Sequence, residues 1–208
     1  MQAFTTLTAI AAPLDIAKID TGMIVPGRFQ RIRRRAGHSD YSNVFLHDLR
    51  FDEHDHPRPE FVLNQPAYRG ARILVTGADF GCGSSRESAA YAILDFGVRA
   101  LIGASFGDVF VGNCMQNGIV PAVLPDEVVQ ALFRQLEAIP GSTMTVDLAA
   151  QTVTAPDTTS YQFEIDATRK ERLMKGLDDV GVTLEHLSQI EAFETAYRAK
   201  MPWRATTM

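Results

Sequence analysis

A chain of 208 residues with 46% hydrophobic residues is long and apolar enough for one sizeable core. Its net charge of -5 argues against a general nucleic-acid binder, since such domains carry a net basic face. No apolar run approaches the roughly 18–20 residues of a membrane span, and the opening MQAFTTLTAIAAPLDIAKID lacks the basic stretch and long apolar core of a signal peptide.

Two cysteines, Cys82 and Cys114, stand far apart and match no zinc or iron–sulfur spacing. A reduced, cytoplasmic chain is the simplest expectation. Residues 1–36 read as strand and loop with at most a short helix. Within them, the basic run Arg31-Ile32-Arg33-Arg34-Arg35 is either a solvated face or an anion site. The polar stretch 37–60 predicts a long mobile loop of the kind that often serves as a lid. His54 and His56 lie there among acidic residues. With no helical or paired Cys/His spacing, solvated histidines are a better reading than a metal site.

From residue 71 the pattern sharpens. ARILVT (71–76), VRALIGA (98–104) and IVPAVL (119–124) are apolar runs suited to buried strands. SRESAAYAILDF (85–96), SFGDVFVGNCMQN (105–117) and DEVVQALFRQLEAI (126–139) have helical spacing. Gly97 and Gly118 follow the first two. Such alternation implies parallel strands with right-handed crossovers. TMTVDL, TVTAP and YQFEI then read as an antiparallel hairpin or meander. Two helices close the chain, with Thr168-x-x-Glu171 as a capping box for the first and Thr183 as the cap of the second. Cys114 is expected in the core, Asn113 and Asn117 at the end of their helix, and Trp203 packed against the body of the domain or a partner. Residues 1–208 are taken as one domain, with residues 183–208 as its C-terminal helix and tail.

The stretch GADFGCGSSRES (77–88) joins the first of these strands to its helix. Ser84 and Glu87 form a capping box, and the glycines permit a sharp turn. Capping leaves Arg86 unexplained, because the helix dipole disfavours a cation in the first turn. An arginine beside free backbone N–H groups makes sense if an anion binds there. The position beyond the carboxyl end of a parallel strand is where such sheets bind ligands. The P-loop spacing fails, since its second glycine slot holds Cys82 and no lysine follows. The dinucleotide spacing fails too, since its third glycine slot holds Arg86. A small carboxylic acid fits better than a nucleotide.

The run GADFGCGSSRESAAYAILDFGVRALIGASFGDVFVGNCMQNGIVPAVLP resembles the small subunit of 3-isopropylmalate dehydratase, a relative of the swivelling C-terminal domain of aconitase. The resemblance extends to FTTLTAIAAPLDIAKIDTGMIVPGRF at the start and GLDDVGVTLEHLSQIEAFE near the end. It implies an α/β swivelling fold, a parallel or mixed sheet flanked by helices with a small antiparallel section and C-terminal helices. It also implies a hydro-lyase that moves a hydroxyl on 2-isopropylmalate, or a related substituted malate, by dehydration and rehydration. A [4Fe-4S] cluster on a separate large subunit would act as Lewis acid, with none bound by this chain and activity only in the complex. By the same resemblance Ser84 is the base and Arg86 stabilises it and holds a substrate carboxylate. Ser85 donates a hydrogen bond, and Gly83 borders the substrate. Arg35, with Arg34 close behind, is the expected second carboxylate clamp, against the plain alternative of a solvated arginine. Met23 either presents an apolar surface to substrate or fills a gap.

The sequence departs from the family pattern at three places. The usual Asp-Thr-Asp-Gln-Ile-Ile-Pro reads Asp20-Thr21-Gly22-Met23-Ile24-Val25-Pro26, and the histidine after Ser-Arg-Glu is Ser88. Losing a carboxylate and an imidazole alters charge and hydrogen bonding in one site. The two readings that follow are a divergent active dehydratase and an inactive binding or regulatory subunit of the same fold.

Overall fold

The computed structural model describes residues 1–33, 35, 38, 40–83 and 86–204. β1 (Thr6–Leu14) is followed by the one-turn helix α1 (Thr21–Ile24) and, after an irregular stretch, by α2 (His47–Arg50). β2 (Ile73–Thr76), α3 (Glu87–Phe96), β3 (Ala100–Gly103), α4 (Asp108–Gln116), β4 (Val120–Val123) and α5 (Asp126–Ala138) then alternate, as the sequence predicts. β5 (Thr143–Asp147), β6 (Thr152–Thr154) and β7 (Ser160–Gln162) lead to α6 (Ala167–Lys175), α7 (Asp179–Leu184) and α8 (Leu187–Lys200).

All seven strands form one mixed sheet in the order β4-β3-β2-β1-β5-β6-β7. β1 is the hinge of this order. Its second half pairs parallel with β2, from Ala11↔Ile73 to Leu14↔Thr76. Its first half pairs antiparallel with β5, from Thr6↔Asp147 to Ile10↔Thr143. Alternate residues of the parallel strands point to opposite faces, so both faces must be covered. Ala12, Leu74 and Leu101 pack on one face under α3, α4 and the segment that carries Phe45. Ala11, Ile73, Val75 and Ile102 pack on the other under α5, whose Val129, Leu132, Phe133 and Leu136 form one helical stripe.

The segment expected as a long mobile loop holds α2 and contributes Tyr41, Val44, Phe45 and Leu46 to the core. The Tyr41 hydroxyl donates to the Ile32 carbonyl at 2.7 Å, and Leu46 N–H donates to the Ile24 carbonyl at 2.9 Å. The Arg50 guanidinium lies over the rings of Phe51 and Phe96 and donates to the Ser42 and Phe45 carbonyls. Its burial lowers its pKa. These residues sit in a polar stretch without a helical or strand period, so the sequence pattern does not mark them as core.

Helix starts also differ from expectation. Asp166, not Thr168, caps α6, accepting from Arg169 N–H at 3.0 Å. Thr183 lies inside α7, which Asp178 caps, and its hydroxyl donates to the Asp179 carbonyl. An aspartate just ahead of each helix outcompetes the threonine within it, because its carboxylate reaches the free N–H groups without leaving the turn. Trp203 is 77% exposed, so it does not pack against the body of this chain.

Candidate functional site at the carboxyl edge of the sheet

The loops that follow β1, β2 and β3 are laced together beyond the carboxyl ends of the strands. Gly77 N–H donates to the Leu14 carbonyl, Lys18 N–H to Ala78, and Gly81 N–H to Ile19 at 2.7 Å. Asp20 and Cys82 form an isolated parallel bridge, and Thr21 N–H donates to the Cys82 carbonyl at 3.1 Å. Phe80 bridges Phe106 in the same sense, and Gly107 N–H donates to the Phe80 carbonyl. This lacing prolongs the parallel ladder past the strands. α3 begins at Glu87.

Two glycines are required for so close an approach. Gly81 has φ of 74°, and a Cβ there would lie 2.3 Å from the Phe110 ring. A Cβ on Gly107 would lie 2.4 Å from the Gly81 carbonyl oxygen. Phe80 and Phe110 pack edge to face beneath the turn at a centroid separation of 5.6 Å. The glycine-rich turn therefore rests on aromatic core.

Arg86 is the N-cap residue of α3, with extended backbone at φ -104°, and its own side chain makes no capping hydrogen bond. The carboxylate of Glu87 accepts from the Asn117 side chain at 3.3 Å, and the Ser84 half of the expected capping box lies outside the described residues. The first N–H groups of a helix have no partner within it and carry partial positive charge. With the Gln30 carboxamide placed so that its oxygen faces the guanidinium, that oxygen accepts from Arg86 Nε at 3.0 Å and from Nη1 at 3.1 Å. Gly22 lies alongside, and a Cβ there would sit 3.2 Å from Arg86 Nη1 and 3.1 Å from Asp20 Oδ1. Asp20 caps α1, its Oδ1 accepting from Met23 N–H at 2.8 Å. Gly83 is exposed near the Asp20 side chain, and Met23 is 36% exposed on α1.

The other expected site residues fare differently. Ser84, Ser85 and Arg34 lie outside the described residues. Arg35 is exposed and pairs with Asp40 at 2.8 Å, and the arginine holds the Asp40 carboxyl below its usual range. Arg28, next to the same segment, forms a forked pair with Asp48, whose pKa it lowers, and His47 Nδ1 joins them at 3.2 Å. His47 in turn packs against Phe29 and Phe51, so this cluster ties the stretch after α1 to α2.

Sequence reasoning missed Gln30 and the capping role of Asp20. An aspartate three residues ahead of Met23 is a recognisable cap signal. Gln30 carries no local signal, because its partner is far along the chain. Cys114 is fully buried in α4, and burial pushes its thiol well above the usual range, whereas Cys82 lies half-buried beside the site. Among the described residues no group of three His, Cys, Asp or Glu side chains could hold a metal ion, and no helix is long and apolar enough to cross a membrane.

Comparison with known proteins adds the following. Residues 1–127 match the family model of the aconitase C-terminal domain, residues 130–167 the LeuD_N model, and residues 179–207 the C-terminal domain of the 3-isopropylmalate dehydratase small subunit. The chain is 48% identical over 203 residues to the 3-isopropylmalate dehydratase small subunit of Cereibacter sphaeroides, covering 98% of this chain and 100% of that one. The same-named protein of Azorhizobium caulinodans is 45% identical over 203 residues, with the same coverage. A crystal structure of 3-isopropylmalate dehydratase from Methanocaldococcus jannaschii superposes with a TM-score of 0.64 at 21% identity, covering 91% of this chain and 99% of that one. At that identity the superposition speaks to the fold.

Proposed function

The chain belongs to the family of 3-isopropylmalate dehydratase small subunits, hydro-lyases of leucine biosynthesis, and from that premise we propose how its carboxyl-edge site contributes to the reaction. Arg86 holds one carboxylate of a substituted malate, the N-terminus of α3 adds partial positive charge, and Ser84 is the base that removes the proton from carbon. The substrate is 2-isopropylmalate or a close relative, converted through 2-isopropylmaleate. The observation that carries this reading is the placement of Arg86. It stands at the N-terminus of α3, beyond the end of β2, and a neutral amide grips one edge of its guanidinium.

A serine is far too weak an acid to lose its proton unaided, so the base needs the positive field that Arg86 and the helix provide. Ser85, adjacent in the motif, is assigned a hydrogen bond to the bound substrate. Gly83 borders the substrate, where a side chain would intrude. Met23 presents an apolar surface. Arg35 and Arg34 are retained as the second carboxylate clamp, and for Arg35 this requires exchange of Asp40 for substrate.

The iron–sulfur cluster of this chemistry does not fit the donors of this chain. Cys114 is enclosed by core, Cys82 stands alone at the site, and no ligand cluster accompanies either among the described residues. In this reading the cluster belongs to a large partner subunit, where it supplies Lewis acidity. The geometry supports a partner independently. Met23, Gly83 and Gln30 are exposed, so the site lacks the cover that excludes water during proton abstraction. The large subunit would form that cover. The two free cysteines suit a reducing cytoplasm.

The test is anaerobic co-expression with the cognate large subunit and assay on 2-isopropylmalate and 2-isopropylmaleate, with citraconate and dimethylmaleate beside them. Turnover of the first pair, lost in Ser84→Ala with assembly retained, supports the reading. Turnover of citraconate or dimethylmaleate alone would assign Gly22, Met23 and Ser88 to substrate choice. A complex with an intact cluster that turns over none of these would favour a binding or regulatory subunit.

A further inference from the structure

We propose that Gln30 is the positioning residue of this site. It fixes the Arg86 guanidinium without cancelling its charge, and Gly22 keeps the space beside that guanidinium free of a side chain. This deepens the reading of Arg86 as a carboxylate clamp and rests on it.

A guanidinium has five N–H donors in a rigid plane. The Gln30 oxygen takes one from Nε and one from Nη1, at 3.0 and 3.1 Å, and so occupies one side of the fork. The second Nη1 hydrogen and both Nη2 hydrogens are left, and these make up the end-on fork that binds a carboxylate through two parallel bonds. A carboxylate in place of the amide would grip the same edge and neutralise the charge that the substrate needs. Among the described residues no acidic side chain forms an ion pair with Arg86. Asp20, the cap of α1, accepts from the Met23 N–H through Oδ1 at 2.8 Å.

Gly22 completes the arrangement. A single Cβ at this position would come within 3.2 Å of Nη1 and 3.1 Å of the Asp20 carboxylate. Any side chain there would push the guanidinium off its present line, and an acidic one would pair with it. Gly22 thus leaves room beside a guanidinium that a neutral amide holds. Gln30 itself is exposed, so removing it opens no core cavity.

The experiment compares Gln30→Glu and Gln30→Leu with the unaltered chain by two readouts. The first is the Arg86 Nε–H resonance in the nitrogen-15 spectrum of the full chain, assigned by its loss in Arg86→Lys. It is expected to remain protected in Gln30→Glu and to move to the solvated position in Gln30→Leu. The second is turnover by the reconstituted complex on 2-isopropylmalate. Gln30→Glu is expected to raise KM and to lower kcat, each by about tenfold, because neutralising Arg86 weakens both the hold on the carboxylate and the field that the base needs. Gln30→Leu is expected to lower kcat/KM by about tenfold, with melting temperature unchanged in both. An Arg86 Nε–H signal that Gln30→Leu leaves in place overturns the proposal. So does an unchanged KM in Gln30→Glu. If the unaltered complex is inactive while the resonance behaves as stated, the catalytic reading falls and the hold on Arg86 stands.

Discussion

α3 and α8 are both helices of this chain, and they treat apolar residues in opposite ways. α3 has ten residues and buries Ala89, Ala90, Ala92 and Ile93 against the sheet. α8 has fourteen and buries none, while Phe193 is 67% exposed and stacks on its neighbour Tyr197. The first helix is fixed by the core and can hold Arg86 at a set place. The second derives little from the core, and most helical stability in proteins comes from a packed face. Position in the fold, not helix length, decides which segment can support precise chemistry.

The comparison can be broken most sharply at the fixed end. Arg86→Ala should lower kcat/KM of the reconstituted complex by about a hundredfold or more, as loss of a preorganised charged donor does. The melting temperature should hold, since the residue stands outside the helix ladder. A small loss of activity would remove Arg86 from the site.

Next in size is the support beneath the turn. Phe110→Ala should destabilise the isolated chain by about 3–5 kcal/mol, because it empties space between α4, Phe80 and the backbone of Gly81. Chemical denaturation measures this directly. A cost below about 1 kcal/mol would show that the laced loops do not depend on their aromatic floor.

The acid limb of stability tests the carboxylates held in their charged form. Asp48 and Asp147 are held below the usual carboxylate range, the first chiefly by Arg28 and the second chiefly by the Ala150 N–H. A depressed folded pKa contributes stability that is present above the unfolded pKa of about 3.9 and is lost as pH falls through the folded value. The melting temperature should therefore be flat at neutral pH and decline below about pH 4. Asp48→Asn should flatten that decline slightly, since a solvent-exposed pair is weak.

The smallest effect is expected at the unfixed end. Phe193→Ala should change the stability of the isolated chain by less than about 0.5 kcal/mol. A larger loss would mean that α8 packs more tightly in solution than its exposed face implies.

Much of this was legible in local pattern. The three strand–helix repeats from residue 71 to 139, the stop at Gly97 and the burial of Cys114 all follow from spacing and composition. Arg86 stood out because a cation in a helix's first turn conflicts with the dipole. The misreadings share a cause. Val44, Phe45 and Leu46 looked like loop because no period marks them, and Thr168 and Thr183 looked like caps because the competing aspartates could be weighed only once the helix starts were known.

By itself, the sequence determined the alternation of parallel strands and helices, the glycine turn beyond β2, and the motif that points to a carboxylate. These rest on short-range terms: side-chain period, backbone freedom and capping. Only the tertiary structure decided that β1 joins a parallel half to an antiparallel half, that the segment with Phe45 covers one face, and that Gln30 meets Arg86 across Gly22. Those outcomes depend on which distant segments can pack without leaving polar groups unpaired or volumes unfilled, and no local window of residues contains that information.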